Sequence, residues 1–253
     1  MGDGARTSKR LVPKCGMTKK ARERAGLRQC PDIGMWAIDN GMGHCVWRTE
    51  ACKDCYNRKT TIYKDMARCW SPGGLDDQRW TSALPSAFSG LHRVRLNTRG
   101  EAFSAIREVD RVSEWLEGNP STKFWIVTRA WQTGMHGSPE KWYRINEGMI
   151  RAIEQKITCF PNAYVMLSID DWTKGHWKEL KDRGFGTIYF SRDLNRHPAL
   201  GLEGANVHKC RKTWDRVRNP ATGRWMHRKG VCKACRSGCF SDARVDVWLK
   251  FHW

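Results

Sequence analysis

Short apolar runs alternate with amphipathic stretches along most of this chain, and the repeat is about thirty residues long. Five of the runs predict buried strands, because each is brief and ends at a turn or at polar residues. Apolar positions at helical spacing predict helices over 57–66, over 105–117, from Ser138 through Ile153, and up to a stop at Gly184. The five predicted strands span 35–39, 93–97, 123–128, 163–169 and 186–190.

This alternation of strand and helix is typical of an α/β protein with a parallel sheet. Sites in such proteins form where the strands end, at the carboxyl edge of the sheet. The last alternating stretch, 245–251, predicts a sixth strand that returns to the edge of the sheet.

A loop just after the first predicted strand carries three cysteines with metal-ligand spacing. Cys45, Cys52 and Cys55 form a C-x6-C-x2-C array, and Tyr56 follows the last of them. Two cysteines separated by two residues can both bind one metal or one cluster. Three local ligands leave a coordination position open, which favours an iron–sulfur cluster. The alternative is a zinc site with Cys69 or His44 as the fourth ligand.

A second cysteine group near the C-terminus offers four ligands. Cys210, Cys232, Cys235 and Cys239 follow a C-x21-C-x2-C-x3-C pattern, which predicts a closed site. Both an auxiliary [4Fe-4S] cluster and a zinc ribbon suit this spacing.

The first cysteine loop resembles that of the radical S-adenosylmethionine (SAM) enzymes, and its wider first gap is similar to that of phage-encoded members. The resemblance implies a partial (β/α)6 TIM-like barrel over 31–200, with a C-terminal cysteine-rich metal-binding extension and final strand over 201–253. It also implies a [4Fe-4S] cluster, SAM, an electron donor such as flavodoxin or ferredoxin, and the formation of a 5′-deoxyadenosyl radical. In the family the cofactor performs this chemistry and the protein positions it.

Further site residues follow from the resemblance. Gly100 and Glu101 are similar to the second half of a Gly-Gly-Glu motif that binds the SAM amine, although an ordinary turn fits them too. Arg129 stands where it could hold the SAM carboxylate, and Ser168 and Asp170 where they could hold the ribose; each also suits a loop or a cap. Tyr56 would lie near the adenine, or in the core. No residue identifies itself as catalytic.

The chain is strongly basic, with 45 Lys and Arg against 26 Asp and Glu, a net charge of +19. Such a surplus attracts phosphate polyanions, so a nucleic-acid partner is predicted; a generally basic proteome is the alternative. Residues 1–30 are expected to form a basic, mobile arm. The segment 209–236 holds ten basic residues with Trp214 and Trp225, and it either faces nucleic acid or packs its tryptophans on the barrel.

The eleven cysteines and the lack of a secretory signal predict reduced, metal-binding thiols and a cytoplasmic protein, in the host cytoplasm if it is phage-encoded. The sequence has no run of eighteen apolar residues, so no membrane-spanning segment and no membrane partner are predicted. Two functional hypotheses follow. One is a radical SAM enzyme that acts on nucleic acid or a nucleotide, and the other is a non-catalytic zinc-ribbon protein that binds nucleic acid.

Overall fold

The computed structural model describes residues 17–30, 35–38, 49, 85–96, 101–134, 142–191, 207–210, 216–218, 220–223, 225–227, 239 and 245–250. These residues form an α/β fold built on one eight-stranded sheet. The described helices of six residues or more are α1 (Lys19–Arg24), α2 (Ile106–Gly118), α3 (Glu147–Lys156) and α4 (Trp177–Asp182). The strands are β1 (Leu27–Cys30), β2 (Met35–Ile38), β3 (Arg93–Leu96), β4 (Lys123–Thr128), β5 (Ala163–Asp170), β6 (Gly186–Ser191), β7 (Val207–Lys209), β8 (Arg216–Arg218), β9 (Trp225–His227) and β10 (Asp246–Lys250).

The main sheet has the order β1-β2-β3-β4-β5-β6-β10-β7. β1 is antiparallel to β2, and all the other neighbouring strands are parallel. The five predicted strands are confirmed as β2 to β6, which lie side by side in chain order. Because parallel neighbours need a crossover, the chain returns through α2, α3 and α4 between successive strands from β3 to β6. The predicted α/β class is therefore confirmed.

The predicted final strand is confirmed as β10, but its predicted place at the edge of the sheet is wrong. β10 pairs with β6 on one side and with β7 on the other. The edge belongs to β7, a strand of three residues that is too short for its pattern to stand out. Asp246 of β10 is fully buried, accepts a hydrogen bond from Thr187 Oγ1 at 2.5 Å, and pairs with Lys181 Nζ at 3.2 Å. Segment 201–253 thus contributes two strands to the main sheet.

The basic N-terminal segment is more ordered than predicted over 19–30, where α1 and β1 replace the expected mobile arm. At least one basic residue of this segment, Arg22, stabilises the fold. Arg22 is buried, and its guanidinium donates to the main-chain oxygens of Ala87 at 3.3 Å and Ser89 at 2.6 Å. Leu27 is also buried. These long-range contacts are invisible to a composition-based prediction.

The sheet packs on both of its faces. The face that meets the helices holds the larger core, and this core includes strand residues such as Ile126 and Leu167 together with Trp115 of α2 and Ile150 of α3. The opposite side, called the second face from here on, is defined by a smaller apolar cluster. Its members are Met35, Ala37, Trp125, Met166, Ile188, Val245 and Val247. Burial on both faces explains why these strands are continuous apolar runs rather than clean alternations.

Helix α3 starts later than predicted. Residues 143–146 are not helical, and Ile145 forms an isolated antiparallel bridge with Gln132. Asn146 then caps the helix, accepting a hydrogen bond from the amide of Met149 at 3.2 Å. Trp142, which falls within the predicted helix, is 57% exposed. An extended pairing thus competes successfully with a helical pattern in this segment.

The segment between Cys210 and Cys232 contains a hairpin that was not predicted. β8 and β9 pair antiparallel as a separate two-stranded sheet, with Arg216 opposite His227 and Arg218 opposite Trp225. Residues 220–223 of the connecting turn are exposed. Gly223 has φ +66°, a left-handed conformation that favours glycine.

Candidate functional site

Three of the predicted site residues meet at the carboxyl ends of two adjacent strands. Arg129 comes directly after β4, and Ser168 and Asp170 close β5. The guanidinium of Arg129 donates to Asp170 Oδ2 through Nη1, and to Ser168 Oγ through Nη2 at 3.1 Å. Parallel strands bring their carboxyl ends to one edge, which is why residues 39 or more positions apart in the chain converge here.

Thr49 joins this group and was not predicted. It lies between Cys45 and Cys52 in the sequence, and its side chain is fully buried. Its hydroxyl donates to Asp170 Oδ2 at 2.5 Å and accepts from Arg129 Nη1 at 2.6 Å. The cysteine-bearing segment therefore contacts the carboxyl edge of the sheet through Thr49. No feature of spacing or periodicity marks Thr49 in the sequence.

Asp170 is the centre of the group. It is fully buried, and its other oxygen, Oδ1, accepts from the amide of Trp172 at 3.1 Å and from Thr173 Oγ1 at 3.2 Å. A buried carboxylate is stable only when a cation and hydrogen bonds compensate it, and Arg129 with these donors does so. The side chain of Arg129 is 13% exposed, so it is the charged member that solvent or a ligand can still reach.

Glu101 belongs to the same edge, on the loop that follows β3. Its Oε1 accepts from the amide of Ala102 at 2.8 Å, the amide of Phe103 at 3.3 Å and Thr128 Oγ1 at 2.5 Å, and its Oε2 accepts from the amide of Arg129 at 2.8 Å. The carboxyl group thus ties this loop to the end of β4. Burial raises the pKa of Glu101, and these hydrogen bonds offset only part of that rise.

The polar edge continues onto β6. The hydroxyl of Tyr189 donates to Asp171 Oδ1 at 2.5 Å, and the indole of Trp131 donates to the main-chain oxygen of Ser168 at 2.9 Å. These contacts hold the end of β5 between its two neighbours. Side-chain positions at this edge are therefore set by direct bonds to adjacent strands rather than by loop packing alone.

Most of the predicted metal ligands lie outside the described residues. This holds for Cys45, Cys52, Cys55, Cys232 and Cys235, and also for Tyr56 and Gly100 among the predicted SAM contacts. Within the described part of the chain, no three His, Cys, Asp or Glu side chains gather as a metal site.

Two ligands of the predicted C-terminal site are described. Cys210 and Cys239 are half-buried, and both pack against the apolar cluster of the second face. Cys210 directly follows Lys209, whose neighbour across the sheet is Trp248, and Trp248 in turn faces Tyr189. Cys210 is therefore level with Asp170, at about three strand spacings of roughly 4.8 Å. Cys210 of the C-terminal group and Thr49 of the first cysteine loop thus lie at the same edge of the sheet.

The arrangement can hold a small polar ligand against Arg129 and Ser168. Asp170 and Glu101 accept hydrogen bonds from other groups of the protein through both carboxylate oxygens. Their main role is therefore to hold the residues at this edge in place. A hydroxyl or carboxylate is the complementary chemistry for a partly exposed guanidinium beside a serine hydroxyl.

Comparison with protein-family models, curated proteins and solved structures finds no match. No described helix combines the length and the apolar character that crossing a bilayer requires.

Proposed function

We propose that this protein is an iron–sulfur, SAM-dependent radical enzyme that generates a 5′-deoxyadenosyl radical and acts on nucleic acid or a nucleotide. One observation carries the proposal. Thr49, within the cysteine loop, is bonded to Arg129 and Asp170 at the carboxyl edge of a parallel sheet, where a cofactor site of this kind is expected.

The order of the strands supports a partial (β/α)6 barrel. β2, β3, β4, β5, β6 and β10 are adjacent and all parallel, which is the arrangement of a six-stranded barrel sheet. β1 and β7 extend this set at its two ends. In the proposed fold the second face lines the interior of the barrel and the helices form its outer layer.

The proposed cofactor fits the donor set that the chain offers. Cys45, Cys52 and Cys55 would supply three thiolates to a [4Fe-4S] cluster, and the unligated iron would bind SAM. When bound, the cluster supplies the electron that cleaves SAM, and a flavodoxin or ferredoxin would reduce it. Tyr56 would flank the adenine, next to the last cysteine.

The described residues would orient SAM rather than react. Arg129, whose side chain is partly exposed, would bind its carboxylate, and Ser168, which accepts a hydrogen bond from Arg129, would bind its ribose. Glu101, with Gly100, would face the amine. Asp170 would hold Arg129 and Thr49 in place.

The proposed substrate class depends on charge. The hairpin of β8 and β9 lies in a strongly basic segment of the chain, and the register puts Arg216 opposite His227 and Arg218 opposite Trp225. Phosphate contacts from arginine and stacking from tryptophan are the common features of single-strand binding. Cys210, Cys232, Cys235 and Cys239 would hold a second [4Fe-4S] cluster or zinc beside this hairpin. The proposed location is the cytoplasm, of the host if a phage encodes the protein.

One anaerobic preparation tests the proposal. Iron and sulfide are measured, and 5′-deoxyadenosine is quantified after addition of dithionite and SAM. Product is expected from the native protein and from Cys159→Ala, since Cys159 is exposed and outside both cysteine groups. It should be lost in Cys52→Ala. Zinc as the sole metal in the native protein would contradict the proposal.

A second function is favoured by the saturation of the polar edge. Because both oxygens of Asp170 and of Glu101 are bonded to the chain, the group can also serve as a purely structural link. The protein would then be a non-catalytic zinc-ribbon protein that binds nucleic acid. It would be colourless, would contain zinc, and would bind DNA or RNA with an affinity that falls as salt is raised and is unaffected by SAM.

A further inference from the structure

An exposed tryptophan and an exposed arginine lie close together just beyond the carboxyl edge of the sheet. Trp142 is 57% exposed, and Arg144, two residues further along the chain, is exposed as well. Their Cα atoms are at most about 7 Å apart, at 3.3–3.6 Å per residue. Among the described large apolar side chains, only Ile106 is comparably exposed. We call Trp142 and Arg144 the Trp–Arg pair.

The main chain of the Trp–Arg pair is held by the segment that leaves β4 at the carboxyl edge. The amide of Thr133 donates to the main-chain oxygen of Arg144 at 2.9 Å, and Thr133 Oγ1 donates to that of Trp142 at 3.0 Å. The antiparallel bridge between Gln132 and Ile145 continues this pairing. The pair is therefore attached to the same segment that begins with Arg129.

Tyr143, between the two members of the pair, is buried and anchored on both sides. Its ring lies so close to Gly134 that a Cβ atom there would overlap it. The main-chain oxygen of Tyr143 is 2.6 Å from Nε2 of His176, at the start of α4. Because this middle residue is fixed, the main chain of its two exposed neighbours is ordered before a ligand arrives, which lowers the entropy cost of binding.

Both side chains of the Trp–Arg pair are available to a ligand. Among the described residues, the ring of Trp142 contacts no other ring or cation, and the guanidinium of Arg144 has no ion pair and no hydrogen bond. Glu147, the nearest acid along the described chain, is already paired with Arg183 at 2.5 Å and with Arg151 at 3.9 Å. Tryptophan and arginine are the residues that most often dominate recognition surfaces.

We propose that the Trp–Arg pair binds single-stranded nucleic acid, with a base stacked on Trp142 and an adjoining phosphate bound by Arg144. This inference rests on the nucleic-acid class proposed above and does not depend on iron–sulfur chemistry. Stacking on an aromatic ring beside a cation is the common mode of single-strand binding, whereas the bases of a duplex are already stacked on each other. The net charge of +19 supplies the long-range attraction.

The position of the pair suits a substrate of the proposed site. Thr133, which bonds both members of the pair, is four residues from Arg129 and so at most about 14 Å from it at 3.6 Å per residue. A strand bound to the pair would bring a neighbouring nucleotide to the carboxyl edge.

Fluorescence anisotropy of the full-length protein, without SAM, tests this with three labelled probes: oligothymidylate, oligouridylate and an abasic DNA strand of the same length. Trp142→Leu should weaken binding of the first two at least about fivefold, the lower range for one stacked base, and leave binding of the abasic strand unchanged. Trp142→Phe should retain most of the affinity, because it keeps an aromatic face. Binding of either base-bearing probe supports the proposal, and the tighter one identifies the sugar.

Arg144→Gln tests the phosphate contact. It should weaken all three probes and reduce the slope of log affinity against log salt by about 0.7, the value for one phosphate contact on a single strand. The matched control is Arg24→Gln, which removes the same group from an exposed position of α1 and should leave the affinity and the slope unchanged.

Three results would overturn the proposal while leaving the nucleic-acid class in place. They are native affinity in Trp142→Leu, an equal loss of the abasic strand in that variant, and identical behaviour of Arg144→Gln and Arg24→Gln. A native protein that binds no single strand would overturn the proposal together with that class. The radical chemistry is tested separately, by the formation of 5′-deoxyadenosine.

Discussion

The two ends of β4 and β5 use their charged residues in opposite ways. At the carboxyl end, Arg129 meets Asp170 and a set of hydroxyl and amide groups, so the charges cancel within the protein. At the amino end, Arg93 faces Lys123 across the sheet and Arg95 lies on an indole ring. The carboxyl end is therefore stabilised by contacts within the protein and needs no ligand to balance its charges. The amino end places cations at neighbouring positions and holds one of them, Arg95, against the ring of Trp125.

The largest expected effect comes from breaking the pair at the carboxyl end. Asp170→Asn leaves Arg129 nearly buried without its counter-charge, and should lower the free energy of unfolding by about 3–5 kcal/mol. Urea denaturation measures this. Adding Arg129→Met should restore part of the loss, because removing both charges of a buried pair costs much less than removing one. A single variant as stable as the native protein would show that the pair is not balanced as described.

Thr49→Val tests the contact between the cysteine loop and the carboxyl end of the strands. The substitution keeps the shape of the side chain but removes a hydroxyl that both donates to Asp170 and accepts from Arg129. The free energy of unfolding should fall by about 1–3 kcal/mol, because Asp170 and Arg129 each lose a hydrogen bond. The iron content of the protein should fall as well. Thr158→Val is the control, since the hydroxyl of Thr158 is exposed and bonds a main-chain oxygen at the end of its own helix. Equal effects of the two variants would contradict a special role for Thr49.

The pH dependence of stability tests the environment of Glu101. Burial raises its pKa in the folded state, so its contribution to stability is complete below the pKa of an unfolded glutamate, about 4.3, and is lost as the pH rises through the folded value. Compared with Glu101→Gln, the native protein should therefore lose stability as the pH rises above about 4.3. Denaturation of both proteins at several pH values measures the difference. A difference that stays constant or grows in favour of the native protein would be inconsistent with this.

The smallest effect is expected at the amino end. Arg95→Gln removes the guanidinium that lies over the ring of Trp125, and should lower the free energy of unfolding by about 0.5–1 kcal/mol. Thermal unfolding measures this, with Lys20→Gln, at an exposed position, as the control. A loss as large as that of Asp170→Asn would contradict the contrast between the two ends.

Periodicity alone predicted most of the sheet. β2 to β6 and β10 are apolar runs bounded by turns, and local pattern is sufficient for strands that are buried on both faces. It was insufficient where a distant partner changes the outcome. Ile145 lies on a helical stripe in the sequence but bridges to Gln132, and Arg22 lies in a basic segment but bonds to Ala87 and Ser89. Propensity does not include such contacts, which form only on folding.

The candidate site, like the sheet, has features that local sequence predicts and features that depend on long-range contacts. The sequence by itself determined that Arg129, Ser168 and Asp170 stand at strand ends, because strand boundaries can be recognised locally and parallel strands end at one edge. Only the tertiary structure decided that Thr49 joins them and that Arg95 and Lys123 lie on neighbouring strands. Such pairings depend on the order and register of the strands, which the crossovers and the packing of both faces set together, and no stretch of sequence contains that information on its own.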